Sequence, residues 1–142
     1  MYLAGKDRSE NQSRYRYVFR ERIKTERTSP KMAKQRILIV SDAVACTGLA
    51  RVAYNIFHPL HEKYDLHQIA RNYNGEPNEW PWKLYPARLG DNANDIERIK
   101  PLTDELRPDL MVMIDDFYNI NGYLFQLKDL PVESRPITIA YT

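Results

Sequence analysis

From Arg36 onward, two kinds of hydrophobic spacing alternate along the chain. Short apolar runs rich in β-branched residues read as strands: "RILIV" from Arg36, "DLHQIA" from Asp65, the brief "KLYPA" from Lys83, "PDLMVMID" from Pro108 and "RPITIAYT" from Arg135. Between them the apolar residues step by three and four. Leu49, Val52, Ala53, Ile56 and Leu60 make one helical stripe, which Pro59 should kink or end. Ile96, Ile99, Leu102 and Leu106 make a second, which Pro101 is expected to split, and Tyr118 to Leu127 predicts a third helix. The unbroken apolar run in "PDLMVMID" suits a strand covered on both faces. Strands alternating with helices predict an α/β fold, a Rossmann-like, mostly parallel sheet flanked by helices, over residues 36–142.

Residues 1–35 lack such periodicity, and "RTSPK" is turn-like, so this stretch reads as a flexible, separable arm with at most one short helix around Tyr15 to Lys24. The polar lead "MAKQ" into the first strand makes Met32 a candidate alternative initiator. Charge sharpens the division. Met1 to Arg36 holds 11 Lys or Arg against 4 Asp or Glu, a net +7, whereas the rest holds 10 against 15, a net −5, hidden in an overall +2. A mildly acidic body is a poor nucleic-acid platform; the basic arm could meet phosphates or simply be solvated.

Further composition narrows the classes. Cys46 is the only cysteine, which excludes an intrachain disulfide and a cysteine-based metal cage. No apolar run reaches the roughly 18 residues of a membrane span, and no apolar signal core opens the chain, so a cytoplasmic protein without a transmembrane segment is expected. His58 and His61 have an i, i+3 spacing, but Pro59 disturbs the geometry and no third ligand is evident, so no metal is expected.

Ligands of an open parallel sheet gather beyond the carboxyl ends of its strands. Three stretches project there: "SDAVACTG", "RNYNGEP" and "DDFYN". In the first, Thr47 can cap a helix while Gly48 lets an anion approach the free amides, and Arg51 could add a bidentate grip on phosphate. An ordinary N-cap with a solvated Arg51 explains the same residues. No GxxxxGK[ST] or GxGxxG pattern is present. Asp42, Asp115 and Asp116 end the two strongest strands, where they could orient sugar hydroxyls or supply a general base. Equally, Asp116 could cap the next helix and Asp42 bond loop amides. Tyr73 and Asn74 stand in the second loop as candidate substrate contacts, and Trp80, Trp82 and Tyr85 crowd beside them, able to stack on a sugar or to cover the sheet edge.

With these loops placed, the stretches "ILIVSD", "TGLARVAYNIFHPL", "HEKYDLHQIARNYNGEPNEWPWKLYPA", "LTDELRPDLMVMIDDFYNINGYL" and "RPITIAYT" together resemble the N-terminal domain of a GT-B fold glycosyltransferase, of the group that includes glycosyltransferase families 1 and 4. The resemblance implies a domain that binds the acceptor and turns its first glycine loop toward a donor's diphosphate. Thr47 and Gly48 then line that loop, with Arg51 beside it. No cofactor is implied beyond a nucleotide sugar as co-substrate. The family's second, nucleotide-holding half has no counterpart here, so the resemblance implies a missing C-terminal domain or partner chain and a domain inactive alone. Two other readings compete. A phospho-accepting receiver would share the acidic strand ends, but the 73 positions from Asp42 to Asp115 hold an extra loop and strand. A non-catalytic protein-interaction domain would dock through its last strand.

Overall fold

The computed structural model describes residues 33–87 and 98–142. Most of the arm and Ile96 therefore lie outside the described residues. Each apolar run becomes a strand: β1 (Arg36–Asp42), β2 (Asp65–Arg71), β3 (Lys83–Pro86), β4 (Leu110–Ile114) and β5 (Ile137–Tyr141). They form one sheet in the order β3-β2-β1-β4-β5, and all four neighbouring pairs are parallel. The architecture is that of a Rossmann-like α/β domain.

Alternation along β1 explains why the sheet needs cover on both sides. Ile37 and Ile39 face a cluster with Leu66, Val112 and Ile114, closed by Ala53 and Phe57 of α1 (Gly48–Phe57). Leu38 and Val40 face the opposite cluster with Ile69, Met111 and Met113. There α2 (Ile99–Leu106) brings Leu102 and Leu106, and α3 (Phe117–Leu127) brings Ile120, Tyr123 and Leu127. Full burial of each such aliphatic side chain contributes about 1.5–3 kcal/mol, so the central strands carry most of the cohesion.

The two prolines behave differently. Phe57 is the last residue of α1, and His58–Leu60 continues as a 3-10 turn holding Pro59, so the helix ends where the sequence places its stop. Pro101, by contrast, does not split its helix. It is the third residue of α2, where its missing amide hydrogen has no intrahelical partner to lose. Arg107 ends α2 in the left-handed region at φ 46, and Pro108 follows.

No helix connects β2 to β3. Residues 72–82 link them instead and pack with aromatics against α1: Trp80 is edge-on to both Tyr54 and Trp82, at 5.1 and 5.0 Å between ring centroids. Trp82 is anchored besides by its indole N–H, which donates to Gln68 Oε1 at 2.9 Å, while Gln68 Nε2 donates to the carbonyl of Asp42 at 3.0 Å. Gln68 is wholly buried, so Trp82→Phe leaves its amide oxygen without that donor. The expected loss is about 1–3 kcal/mol, measured by urea unfolding of the full chain.

Candidate functional site

Sheet order fixes where a ligand would sit. The first connections run outward from β1 through β2 to β3, and the later ones outward through β4 to β5, so the carboxyl-end crevice opens between β1 and β4. Asp42 ends β1, Asp115 follows β4, and Arg71 ends β2 in register with Asp42.

The β1–α1 loop is held tightly. Thr47 is the N-cap of α1, accepting from the Ala50 amide at 3.1 Å, and its own hydroxyl donates to Asp42 Oδ2 at 2.8 Å. Asp42 Oδ1 accepts from Asn72 Nδ2 at 3.0 Å. One carboxylate thus ties the start of α1 to the start of the β2–β3 loop. Val44 sits at φ 65, a conformation that costs a β-branched residue on the order of 1–3 kcal/mol and that the surrounding bonds must offset. The Gly48 and Leu49 amides lie ahead of the cap bond from the Ala50 amide to the Thr47 hydroxyl and of the first helical bond, from the Arg51 amide to the Thr47 carbonyl. A Cβ placed on Gly48 would meet nothing within 4 Å. The helix start therefore opens onto free space, and Arg51 is exposed one turn further on.

Asp115 is the most heavily bonded side chain of the crevice. It is 1% exposed and accepts from Arg71 Nη1, from Tyr123 Oη at 2.7 Å, from Asn119 Nδ2 at 3.0 Å and from the Asp116 amide at 2.7 Å. Burial by itself would raise its pKa, but the bonds from Asn119, Tyr123, the Asp116 amide and Arg71 outweigh this and hold it below the usual carboxylate value. Burial likewise opposes the charge on Arg71, yet the facing Tyr123, Asp115 and Asp42 raise its pKa above the ordinary one. The guanidinium remains protonated.

The sequence-named residues therefore separate. Thr47, Gly48 and Asp42 come together at the head of α1. Asp115 braces the neighbouring strand end, with both of its oxygens engaged by donors. Asp116 occupies the N-cap position of α3 but makes no side-chain cap bond; it is exposed, beside the exposed Phe117 and Tyr118. Tyr73 is buried against Ala43 and Ala70, its hydroxyl accepting from Asn78 at 3.1 Å, whereas Asn74 is exposed. Arg71, Asn72, Asn119 and Tyr123 were not foreseen as site residues. Arg71 had a signal: it is the polar residue closing β2, in the place Asp42 takes in β1.

Among the described residues, no group of three or more His, Cys, Asp or Glu side chains is placed to hold a metal, and no helix is long and apolar enough to cross a membrane. No protein-family model matches the chain, and no curated protein matches it in sequence.

Proposed function

We propose that this domain is the acceptor-side half of a GT-B type glycosyltransferase, serving hexosyl transfer from a nucleotide sugar to a hydroxyl acceptor once a second nucleotide-binding domain closes the cleft. The observation that carries the reading is the open helix start at Gly48. The Gly48 and Leu49 amides stand at the start of a helix that follows the carboxyl end of β1, where the helix dipole favours a phosphate. Asp42 supports it by fixing Thr47, and so the direction of those amides, without placing its carboxylate in the open space above Gly48. Arg51 is the cation that would offset charge on a leaving diphosphate, and exposed Asp116 and Asn74 are the polar groups that would meet hydroxyls. Asp115, saturated by donors, would hold Arg71 and α3 in place.

The receiver reading loses support, because in that topology the third strand lies beside β1, a place taken here by β4. A buried Asp115 with four donors is also badly placed to accept a phosphoryl group.

The test is a titration of the nitrogen-15-labelled full chain with nucleoside-diphosphate hexoses. Amide shifts should cluster at Thr47 to Arg51 with millimolar affinity. Arg51→Ala should weaken binding by about tenfold, and Gly48→Ala should weaken it while leaving the fold intact, because its Cβ enters space free of protein atoms. Silence at these amides, or titrations unchanged in both variants, would remove the helix start from the site.

A further inference from the structure

Asn72 follows directly on Arg71, the last residue of β2, and stands in the left-handed region at φ 57. Asparagine tolerates that conformation better than most residues, and glycine takes it freely. The surrounding backbone sets the turn: β2 pairs with β1 as far as Arg71 opposite Asp42, and the Ala43 amide donates to the Arg71 carbonyl at 3.2 Å. The turn brings the Asn72 side chain to Asp42, where Nδ2 donates to Oδ1 at 3.0 Å.

Asp42 is 5% exposed, and the two oxygens of its carboxylate lie in one rigid plane. A donor that fixes Oδ1 therefore helps to fix the direction of Oδ2. The Thr47 hydroxyl donates to Oδ2 at 2.8 Å, and its oxygen accepts from the Ala50 amide at 3.1 Å. Three bonds thus run in series from the first residue of the β2–β3 loop to the first turn of α1.

Loss of the Asn72 donor would leave one oxygen of a buried carboxylate unsatisfied. The carboxylate could then turn toward Arg71, whose cation Asp42 already stabilises. Thr47 would lose the acceptor that orients its hydroxyl, and with it the steady cap on Ala50.

We propose that Asn72 is a positioning residue for the start of α1: through Asp42 it holds Thr47, and so couples the β2–β3 loop to the Gly48 and Leu49 amides. Its bearing on phosphate rests on the reading of those amides as the anion site.

Two variants test the coupling. Asn72→Gly accepts the same φ and deletes the amide group, whereas Asn72→Asp keeps the size but turns a carboxylate toward Asp42. In the ligand-free, nitrogen-15-labelled full chain, the Ala50 amide should shift and lose about fivefold protection from hydrogen exchange in Asn72→Gly, and more in Asn72→Asp. The Ala53 and Phe57 amides, further along the same helix, should stay as they are. Titration with inorganic pyrophosphate, followed at Gly48 and Leu49, should then show about fivefold weaker binding in Asn72→Gly. A double-mutant cycle separates positioning from a general loss of structure: with Thr47→Ala in place, Asn72→Gly should add nothing to either effect. An Ala50 amide unmoved in both variants, or effects that add in the double variant, overturns the coupling. Pyrophosphate that moves no amide of the wild-type chain overturns the phosphate reading and the clause that rests on it. The ligand-free comparison and its cycle then still decide whether Asn72 holds the helix start.

Discussion

Asp115→Ala should cost the chain about 3–5 kcal/mol of unfolding free energy, the scale for removing one partner from a buried, hydrogen-bonded charge pair. The wild-type carboxylate is 1% exposed and gathers donors from three elements: Arg71 at the end of β2, the Asp116 amide after β4, and Asn119 and Tyr123 on α3. Truncation removes the acceptor from all of them at once, including the Arg71 guanidinium, whose side chain is 24% exposed. Tyr123→Phe removes one donor and leaves the others in place, so its expected cost is about 1–2 kcal/mol. Urea unfolding of both variants at neutral pH distinguishes the cases. The midpoint should fall steeply for Asp115→Ala and mildly for Tyr123→Phe, with unchanged slopes. A loss below about 1 kcal/mol for Asp115→Ala would show that the crevice does not depend on this carboxylate.

This network also shows what was legible in the sequence. The strands announced themselves through runs such as "RILIV" and "LMVMI", because a strand buried on both faces needs uninterrupted apolar residues. Thr47 as a cap and Pro59 as a stop were equally readable, since both act within a turn of their own position. Pro101 was expected to split its helix, but it is the third residue of Ile99–Leu106; a proline in the first turn of a helix is tolerated, whereas one in its middle is not. Arg71 and Asp115 are 44 positions apart, and nothing local to either announces the other. Their meeting depends on β2 and β4 flanking β1, an order that periodicity along the chain does not encode. The burial of Tyr73 was illegible for a related reason. Whether a loop aromatic points outward or beneath its own loop is decided by the small residues it meets, here Ala43 and Ala70.

Acid should weaken the fold in two steps whose signs follow from the same side chains. His67 has a lowered pKa in the folded chain, chiefly from burial. The unfolded chain therefore takes up a proton near the ordinary value of about 6.5 while the folded one resists, and stability declines as pH falls from there toward the folded value. Asp115 is also lowered, but for a carboxylate the consequence comes later. Its stabilising bonds are fully present above the unfolded pKa of about 3.9 and are lost as pH drops through the folded value. Asp65 adds to this second step through Arg36, weakly, because that pair is well exposed to solvent. Protonating Asp115 disturbs four donors at once, so the lower step is expected to be the larger. Urea midpoints followed from about pH 7.5 down to about pH 3 should show a shallow decline and then a steep one. His67→Gln should erase the first, and Asp115→Asn, destabilised at every pH, should flatten the second. A midpoint that stays level to pH 5 would mean that His67 is as easily protonated folded as unfolded. A steep step surviving in Asp115→Asn would move the acid lability of this fold to other carboxylates and separate it from the crevice.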